Sequence, residues 1–177
     1  RENVSILFYA CIFGNVNVVT EALQLLSTTD MKKRTVWLEH RVRRKGFINF
    51  GIPGETNALF AAMAWSGTEI VRLLLQNGAN PKVMDRNGFD PFMYACYYGR
   101  NSNIKFWLKT FKKWDLRRRN WATGANALTL ALNQGPHKFE TAKMLIKAGV
   151  NITNCASSGI TNLMAACSNE DADPEVV

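Results

Sequence analysis

The stretch NALFAAMAWSGTEIVRLLLQNGANP, Asn57 to Pro81, contains the clearest structural pattern in the chain. Its apolar residues recur at intervals of three to four positions, as Ile70 and Leu74 do in its second half. This spacing places them on one side of an α-helix. Ser66-Gly67 interrupts the first apolar run, and Gly78 follows the second run, where a left-handed residue closes a helix. The stretch therefore predicts two short helices that form a hairpin.

Related strings recur along the chain, which is the signature of a repeat protein. The aligned segments begin at Ser5, Asn57, Asp90, Asn126 and Thr161, and read SILFYACIFG, NALFAAMAWS, DPFMYACYYG, NALTLALNQG and TNLMAACSNE. Their starts lie 52, 33, 36 and 35 residues apart, and a second apolar stretch follows four of them. A glycine ends three of the segments, where the first helix of a hairpin must stop: Gly14, Gly99 and Gly135. We therefore expect one hairpin after another along the chain.

The repeat period, the hairpin at Asn57–Pro81 and the turn DRNG at Asp85–Gly88 resemble the ankyrin repeat family. The resemblance implies an all-α ankyrin-repeat solenoid, built from stacked helix-turn-helix units with one long basic insertion. It predicts a single array of about five repeats over 1–177: 1–54 with the insertion 28–54, 55–87, 88–123, 124–158 and an incomplete 159–177. Because Asp173-Pro174 suits a helix start close to the last residue, we expect a fragment of a longer chain.

Two stretches carry most of the positive charge. Within a net charge of +8, Lys32–Lys45 holds seven basic residues and one acidic residue, and Lys105–Arg119 holds seven and one. The first stretch lies in the insertion, where apolar residues predict a short extra helix that packs on the repeats, with its arginines outwards: Met31, Val36, Trp37, Leu38 and Val42. The second stretch prolongs the second helix of the Asp90 repeat. The two stretches lie two repeats apart, which is a separation on the order of 20 Å. We therefore expect them to form one positive surface.

No catalytic or cofactor-binding motif accompanies the repeats. The sequence has no Walker loop and no dinucleotide fingerprint, and its histidines, His40 and His137, stand in no local catalytic signature. Four cysteines without a C-x-x-C pair argue against a structural zinc site. Cys11, Cys96 and Cys167 share one position of the repeat, where a small buried residue is expected. We expect no enzyme activity, no cofactor, no metal and no small-molecule substrate.

Ankyrin repeats in general bind other proteins through loop tips and the concave face of their first helices. The resemblance therefore implies a non-catalytic protein–protein interaction scaffold, and the positive charge favours a partner with an acidic patch. Arginine and tyrosine are typical interface anchors. The expected partner-binding residues are Arg41, Arg43, Arg44, Arg86, Asn87, Met93, Tyr97, Tyr98, Arg117, Arg118 and Arg119.

Other roles for the basic clusters stay open at this point. The same arginines suit the phosphates of a nucleic acid or an anionic phospholipid, and Trp114 and Trp121 flank the second cluster, although packing between repeats is their expected role. The repeats could also form the cytosolic ankyrin domain of a larger enzyme or channel. No apolar run approaches the roughly 18 residues that span a bilayer, so the expected location is the cytoplasm, with the nucleus as the alternative.

Overall fold

The computed structural model describes residues 6–42, 55–134 and 137–168. Within these ranges the chain is helical and has no β-strand; extended backbone pairs in isolated bridges, Val42–Thr56 and Cys155–Thr161. The prediction of an all-α fold is confirmed. Contacts divide the chain into two compact units, Arg1–Arg86 and Asn87–Val177.

The first compact unit contains two helical hairpins and the extra helix of the insertion. Its helices are α1 (Ile6–Ile12), α2 (Val16–Ser27), α3 (Met31–Leu38), α4 (Ala58–Trp65) and α5 (Thr68–Gln76). α1 packs against α4 and α2 packs against α5, so the two hairpins stack side by side. The Oγ of Ser66 donates to the carbonyl of Cys11, which joins the end of α4 to α1. The extra helix α3 contacts α2.

The second compact unit continues the same pattern. Its helices are α6 (Pro91–Tyr97), α7 (Asn101–Thr110), α8 (Ala127–Gln134), α9 (Lys138–Lys147) and α10 (Asn162–Cys167). α6 pairs with α7, α8 pairs with α9, and α8 also packs against both α6 and α10. The second helices are joined as well, because the Oγ1 of Thr141 on α9 donates to the Oδ1 of Asn101 on α7 at 2.6 Å.

The first residue of each described repeat segment caps a first helix. At this position a side-chain oxygen accepts a hydrogen bond from the backbone N–H three residues later, at N···O distances of 2.8 to 3.4 Å. The capping residues are Asn57, Asp90, Asn126 and Thr161. Because the first N–H groups of a helix have no partner within it, a short polar side chain is required here. The cap explains why these segments begin with a polar residue.

Glycines end both kinds of helix, as predicted. After the second helices, Gly78 and Gly149 have φ angles of +95° and +88°, and the N–H that follows each glycine donates to a carbonyl of the last turn, at 3.0 and 3.1 Å. After the first helices, Gly14 and Gly99 also have positive φ angles, whereas Gly135 lies outside the described residues. The left-handed backbone lets the chain reverse within two or three residues.

The central first helices are buried on every side. This holds for residues 58–64 of α4, 91–96 of α6 and 127–132 of α8. The second helices α5 and α7 instead keep one exposed face. None of the helices in the described part has the length and the apolar character that a membrane crossing requires. Side chains accessible to a partner therefore come mainly from second helices, loops and α3.

The insertion helix α3 packs less of its apolar set than its sequence predicts. Leu38 and Val42 are buried, but Met31, Val36 and Trp37 remain 68%, 67% and 49% exposed. The expectation that all five pack on the repeats is therefore wrong for these three. A helix of two turns that lies on a surface can turn only one side towards it.

The arginine on α3 does not face outwards as expected. Arg34 is half-buried, and its Nη2 donates to the Oδ1 of Asn77, just after α5, at 2.5 Å. Leu38 follows Arg34 by four residues and shares its side of the helix. Arg34 and Leu38 thus form the side by which α3 is attached to the second hairpin.

Candidate functional site

The loop after α7 carries the arginine triplet, and Arg118 is its most buried member. The Nη1 of Arg118 lies 3.2 Å from the Oδ2 of Asp90, and the two side chains are 19% and 1% exposed. The guanidinium also lies 5.4 Å from the centre of a Trp114 ring. Since the Oδ1 of Asp90 caps α6 by accepting from Met93 N, Arg118 attaches the loop to the start of α6.

Arg119 attaches the same loop to the next one. Its Nε donates to the carbonyl of Gly124 at 2.8 Å, and its Nη2 donates to the carbonyl of Cys155 at 2.7 Å. Two members of the triplet therefore have structural contacts within the second compact unit. Arg117 differs, because its side chain is 87% exposed and lies 3.8 Å from the exposed Asp115. An exposed ion pair of this kind contributes little to stability.

A basic surface extends from Arg117 along α7. We call it the α7 surface, and it consists of Lys105, Lys109, Lys112, Lys113 and Arg117, all exposed. Ile104 and Trp107 occupy the buried side of the same helix. Lys105 lies 3.9 Å from the exposed Glu140, whereas no described carboxylate forms an ion pair with Lys109, Lys112 or Lys113. The α7 surface therefore keeps most of its positive charge.

The surroundings of the α7 surface do not neutralise it. Over the described residues 87–134 and 137–168, eleven lysines and arginines stand against three carboxylates, Asp90, Asp115 and Glu140. Asp90 is already paired with Arg118. A charge excess of this size raises the local concentration of anions and steers acidic partners towards the surface.

Tyr97 and Tyr98, two expected contact residues, lie at the end of α6 and are half-buried. Their ring centres are 5.0 Å apart in an edge-to-face arrangement. Burial, and to a lesser extent the neighbouring Tyr97, raises the pKa of Tyr98 to about 12. The Tyr98 phenol therefore stays neutral at physiological pH. Each ring keeps part of its surface accessible.

Met93, another expected contact residue, lies in the core. It is 2% exposed and packs with Ala125 and Leu130, with Tyr97 against the edge of this cluster. Because α8 covers this side of α6, the Met93 side chain offers no surface to a partner. The concave face expected from the first helices is thus closed at this position.

The turn at 85–88 presents Arg86, which is exposed. Asn87 is half-buried, and its carbonyl accepts from Ala122 N at 3.2 Å. The ring of Trp121 lies directly over Gly88, where an added Cβ would be 2.6 Å from two ring carbons. Of the two expected contact residues in this turn, Arg86 is the more accessible.

The expected contacts in the insertion are described only in part. Arg41 is half-buried and its Nη1 donates to the carbonyl of Glu55 at 3.2 Å. Arg43 and Arg44 lie outside the described residues. The structure therefore assigns Arg41 a contact across the base of the insertion.

An open apolar groove lies between α8, α9 and α10. Its volume is about 490 Å³, and it is lined by the apolar Leu128, Leu132, Ile146, Ile152 and Leu163 and by the polar Thr153, Thr161 and Asn162. Ile152 and Leu163 are more than half exposed. The groove was not predicted from the sequence, because its walls come from three segments that local patterns cannot bring together.

The cysteines divide into two buried and two exposed thiols. Cys11 and Cys96 are buried, as expected, and burial raises the pKa of Cys11 to about 12 and that of Cys96 well above its ordinary value. Cys155 is exposed, and so is Cys167, which was expected to be buried. In the described part of the chain, no three histidine, cysteine or carboxylate side chains are grouped closely enough to hold a metal ion.

Comparison with known proteins agrees with the helical hairpins. Residues 59–108 match the family model for ankyrin repeats (many copies). This range runs from α4 into α7 and so includes two consecutive hairpins. No curated protein matches the chain. Residues 59–108 are therefore similar to ankyrin repeats, and the described hairpins outside this range repeat the same helical form.

Proposed function

We propose that the chain is a non-catalytic scaffold that binds another protein, and that its α7 surface selects a partner with an acidic patch. Ankyrin repeats generally mediate protein–protein interaction. The observation that carries the finer proposal is that Lys109, Lys112 and Lys113 of the α7 surface are exposed and form no ion pair with a carboxylate of the described residues. Charge of one sign that is not balanced locally favours association with the opposite sign.

The proposed contact residues differ in their roles. Lys109, Lys112, Lys113 and Arg117 supply charge, and Arg117 adds the planar donor set that binds carboxylates through two hydrogen bonds. Contact area comes from the side chains of Arg86, Tyr97 and Tyr98, each of which ends in a polar group. Arg118 and Arg119 hold the loop in place, and their contribution to binding is through its geometry. The insertion arginines, Arg41, Arg43 and Arg44, are proposed to add positive charge for the same partner.

The α7 surface is tested by charge reversal with a control of equal net charge. Lys109→Glu/Lys113→Glu and the control Lys82→Glu/Lys147→Glu each change two lysines outside the core. Immobilised wild type and both variants are used to capture proteins from an extract of the source cell. We expect one set of acidic proteins to bind wild type and the control but not the α7 variant. Identical sets on all three proteins, or no bound protein, would contradict the proposal.

The same proteins distinguish an acidic protein from other polyanions. A duplex oligonucleotide and phosphatidylserine vesicles are titrated into wild type at several salt concentrations. Phosphate binding predicts a steep linear fall of log affinity with log salt, reduced by about one unit for each lost contact. We expect weak binding of both probes at physiological salt. Strong binding that the α7 variant abolishes would replace the acidic protein by nucleic acid or lipid.

A further inference from the structure

The insertion helix α3 presents a second surface of unusual composition. We call it the outer face of α3, and it consists of Lys32, Lys33, Val36 and Trp37, all exposed. Lys32 precedes Val36 by four residues and Lys33 precedes Trp37 by four, so the four side chains are neighbours on one side of the helix. An apolar pair thus lies beside two cations.

The opposite side of α3 is firmly attached, so the outer face has a defined orientation. Leu38 is buried, and Arg34 Nη2 donates to Asn77 Oδ1 at 2.5 Å. Glu39, which follows α3, accepts two hydrogen bonds through separate oxygens, from Asn57 Nδ2 and from Asn80 N, both at 2.9 Å. Because these contacts join α3 to the second hairpin, the helix cannot turn its apolar pair towards the core without breaking them.

Exposing Val36 and Trp37 to water does not stabilise α3 itself. Val36 and Trp37 are 67% and 49% exposed, and neither residue type is among the good helix formers. Single exposed apolar residues are common on proteins, but tryptophan is enriched among the residues that anchor protein interfaces. Covering the pair with a partner would remove apolar surface from water, which is favourable.

The charges around the pair restrict the chemistry of that partner. The carboxylates at the two ends of α3 are engaged within the chain, since Asp30 accepts from Lys32 N at 3.4 Å and Glu39 accepts from Asn57 and Asn80. Among the described residues, no carboxylate forms an ion pair with Lys32 or Lys33. The two lysines therefore favour an occupant that carries negative charge next to an apolar group.

We propose that the outer face of α3 binds an acidic protein segment that inserts at least one large apolar side chain against Val36 and Trp37. The proposal rests on the scaffold function but not on the α7 surface, and it adds a second, separate contact region. Trp37 anchors the apolar side chain, and Lys32 and Lys33 pair with carboxylates beside it. The long aliphatic parts of the two lysine side chains let their ammonium groups reach around Trp37.

The probe is a displayed library of random 12-residue peptides, selected on the complete chain. The selected consensus peptide is synthesised, and its Kd is measured for wild type, Val36→Ser/Trp37→Ser and Lys32→Glu/Lys33→Glu. Matched controls change exposed residues of the second compact unit, Met164→Ser and Lys147→Glu. We expect a consensus with several carboxylates and one aromatic or aliphatic residue. Each α3 variant should raise its Kd about tenfold, and the controls should not.

Several outcomes would overturn the proposal. A selection that yields no consensus, a neutral or basic consensus, or a peptide that binds the α3 variants as well as wild type would each do so. Binding of phosphatidylserine vesicles that the α3 variants abolish would assign the face to a membrane instead. A loss of thermal stability in Val36→Ser/Trp37→Ser as large as that of a core substitution would show that the pair is covered within the chain. If the α3 variants keep the partners captured through the α7 surface, the scaffold function stands while this proposal alone fails.

Discussion

Asp90 illustrates how one side chain serves both a helix and a loop. Its Oδ1 accepts from Met93 N at 2.8 Å, and its Oδ2 lies 3.2 Å from Arg118 Nη1. The carboxylate is almost completely buried. A buried charge is tolerated only when it is paired and hydrogen-bonded, so the cap of α6 depends on Arg118.

Replacing Arg118 should therefore destabilise the protein. We expect Arg118→Ala to lower the free energy of unfolding by about 3 kcal/mol, because the buried Asp90 loses the cation that compensates it. The neighbouring Arg117→Ala removes only an exposed pair and should cost less than about 1 kcal/mol. Urea unfolding of both variants measures the difference. Equal effects of the two substitutions would contradict the structural role of Arg118.

Gly88 is required for two reasons that a substitution can separate. Its φ is +83°, and an added Cβ would lie 2.6 Å from the ring of Trp121. Gly78 has a φ of +95° and open space where its Cβ would be. We expect Gly78→Ala to cost about 1–2 kcal/mol for the left-handed backbone alone. Gly88→Ala should cost about 3 kcal/mol or more, since steric overlap is added. Thermal unfolding compares the two variants, and equal costs would argue against close contact with Trp121.

At the scale of the element, α3 shows how an insertion becomes part of a repeat. Its attachment uses polar contacts to residues that already have a role in the second hairpin, including the helix cap Asn57. An antiparallel bridge between Val42 and Thr56 closes the base of the insertion. The repeat pattern is therefore preserved on either side of α3.

Glu39 is the contact that best tests this attachment. We expect Glu39→Ala to lower the free energy of unfolding by about 2 kcal/mol, because hydrogen bonds to a charged acceptor are lost at Asn57 and Asn80. The substitution should accelerate hydrogen exchange more in α3 than in the rest of the chain. Glu21→Ala, at an exposed position of α2, is the control and should have an effect below about 0.5 kcal/mol. Unchanged exchange in α3 would mean that Glu39 does not hold the helix.

At the scale of the whole molecule, the repeats distribute burial unevenly between first and second helices. Residues 58–64 of α4 and 127–132 of α8 are buried on all sides, whereas α7 and α9 each expose a face that carries lysines. Local unfolding requires the most free energy in regions where few backbone hydrogen bonds are exposed to solvent. We expect native-state hydrogen exchange to be slowest in α4 and α8 and faster in α9 and α3. Slower exchange in α3 than in α4 would contradict this order.

Local patterns were sufficient to predict the helices and the resemblance to ankyrin repeats. The apolar spacing around Ile70, the polar residue at Asn57 and the glycine at Gly78 each act within one or two turns of the chain. The extra helix in the insertion was predicted from the same kind of signal. Such features depend on neighbours in sequence, so the order of the amino acids is sufficient to predict them.

The roles of individual side chains could not be predicted in the same way. Met93 was expected at a surface, but α8 covers it, and Arg34 was expected in solvent, but it binds Asn77, 43 residues further along the chain. A long or apolar side chain has several acceptable environments, and the choice depends on which distant segment arrives beside it. The amino-acid sequence alone specified the helical repeats and the excess of positive charge. Tertiary packing selected which arginines hold loops together and which charged and apolar groups remain available to a partner, because that selection is made by contacts between residues far apart in the chain.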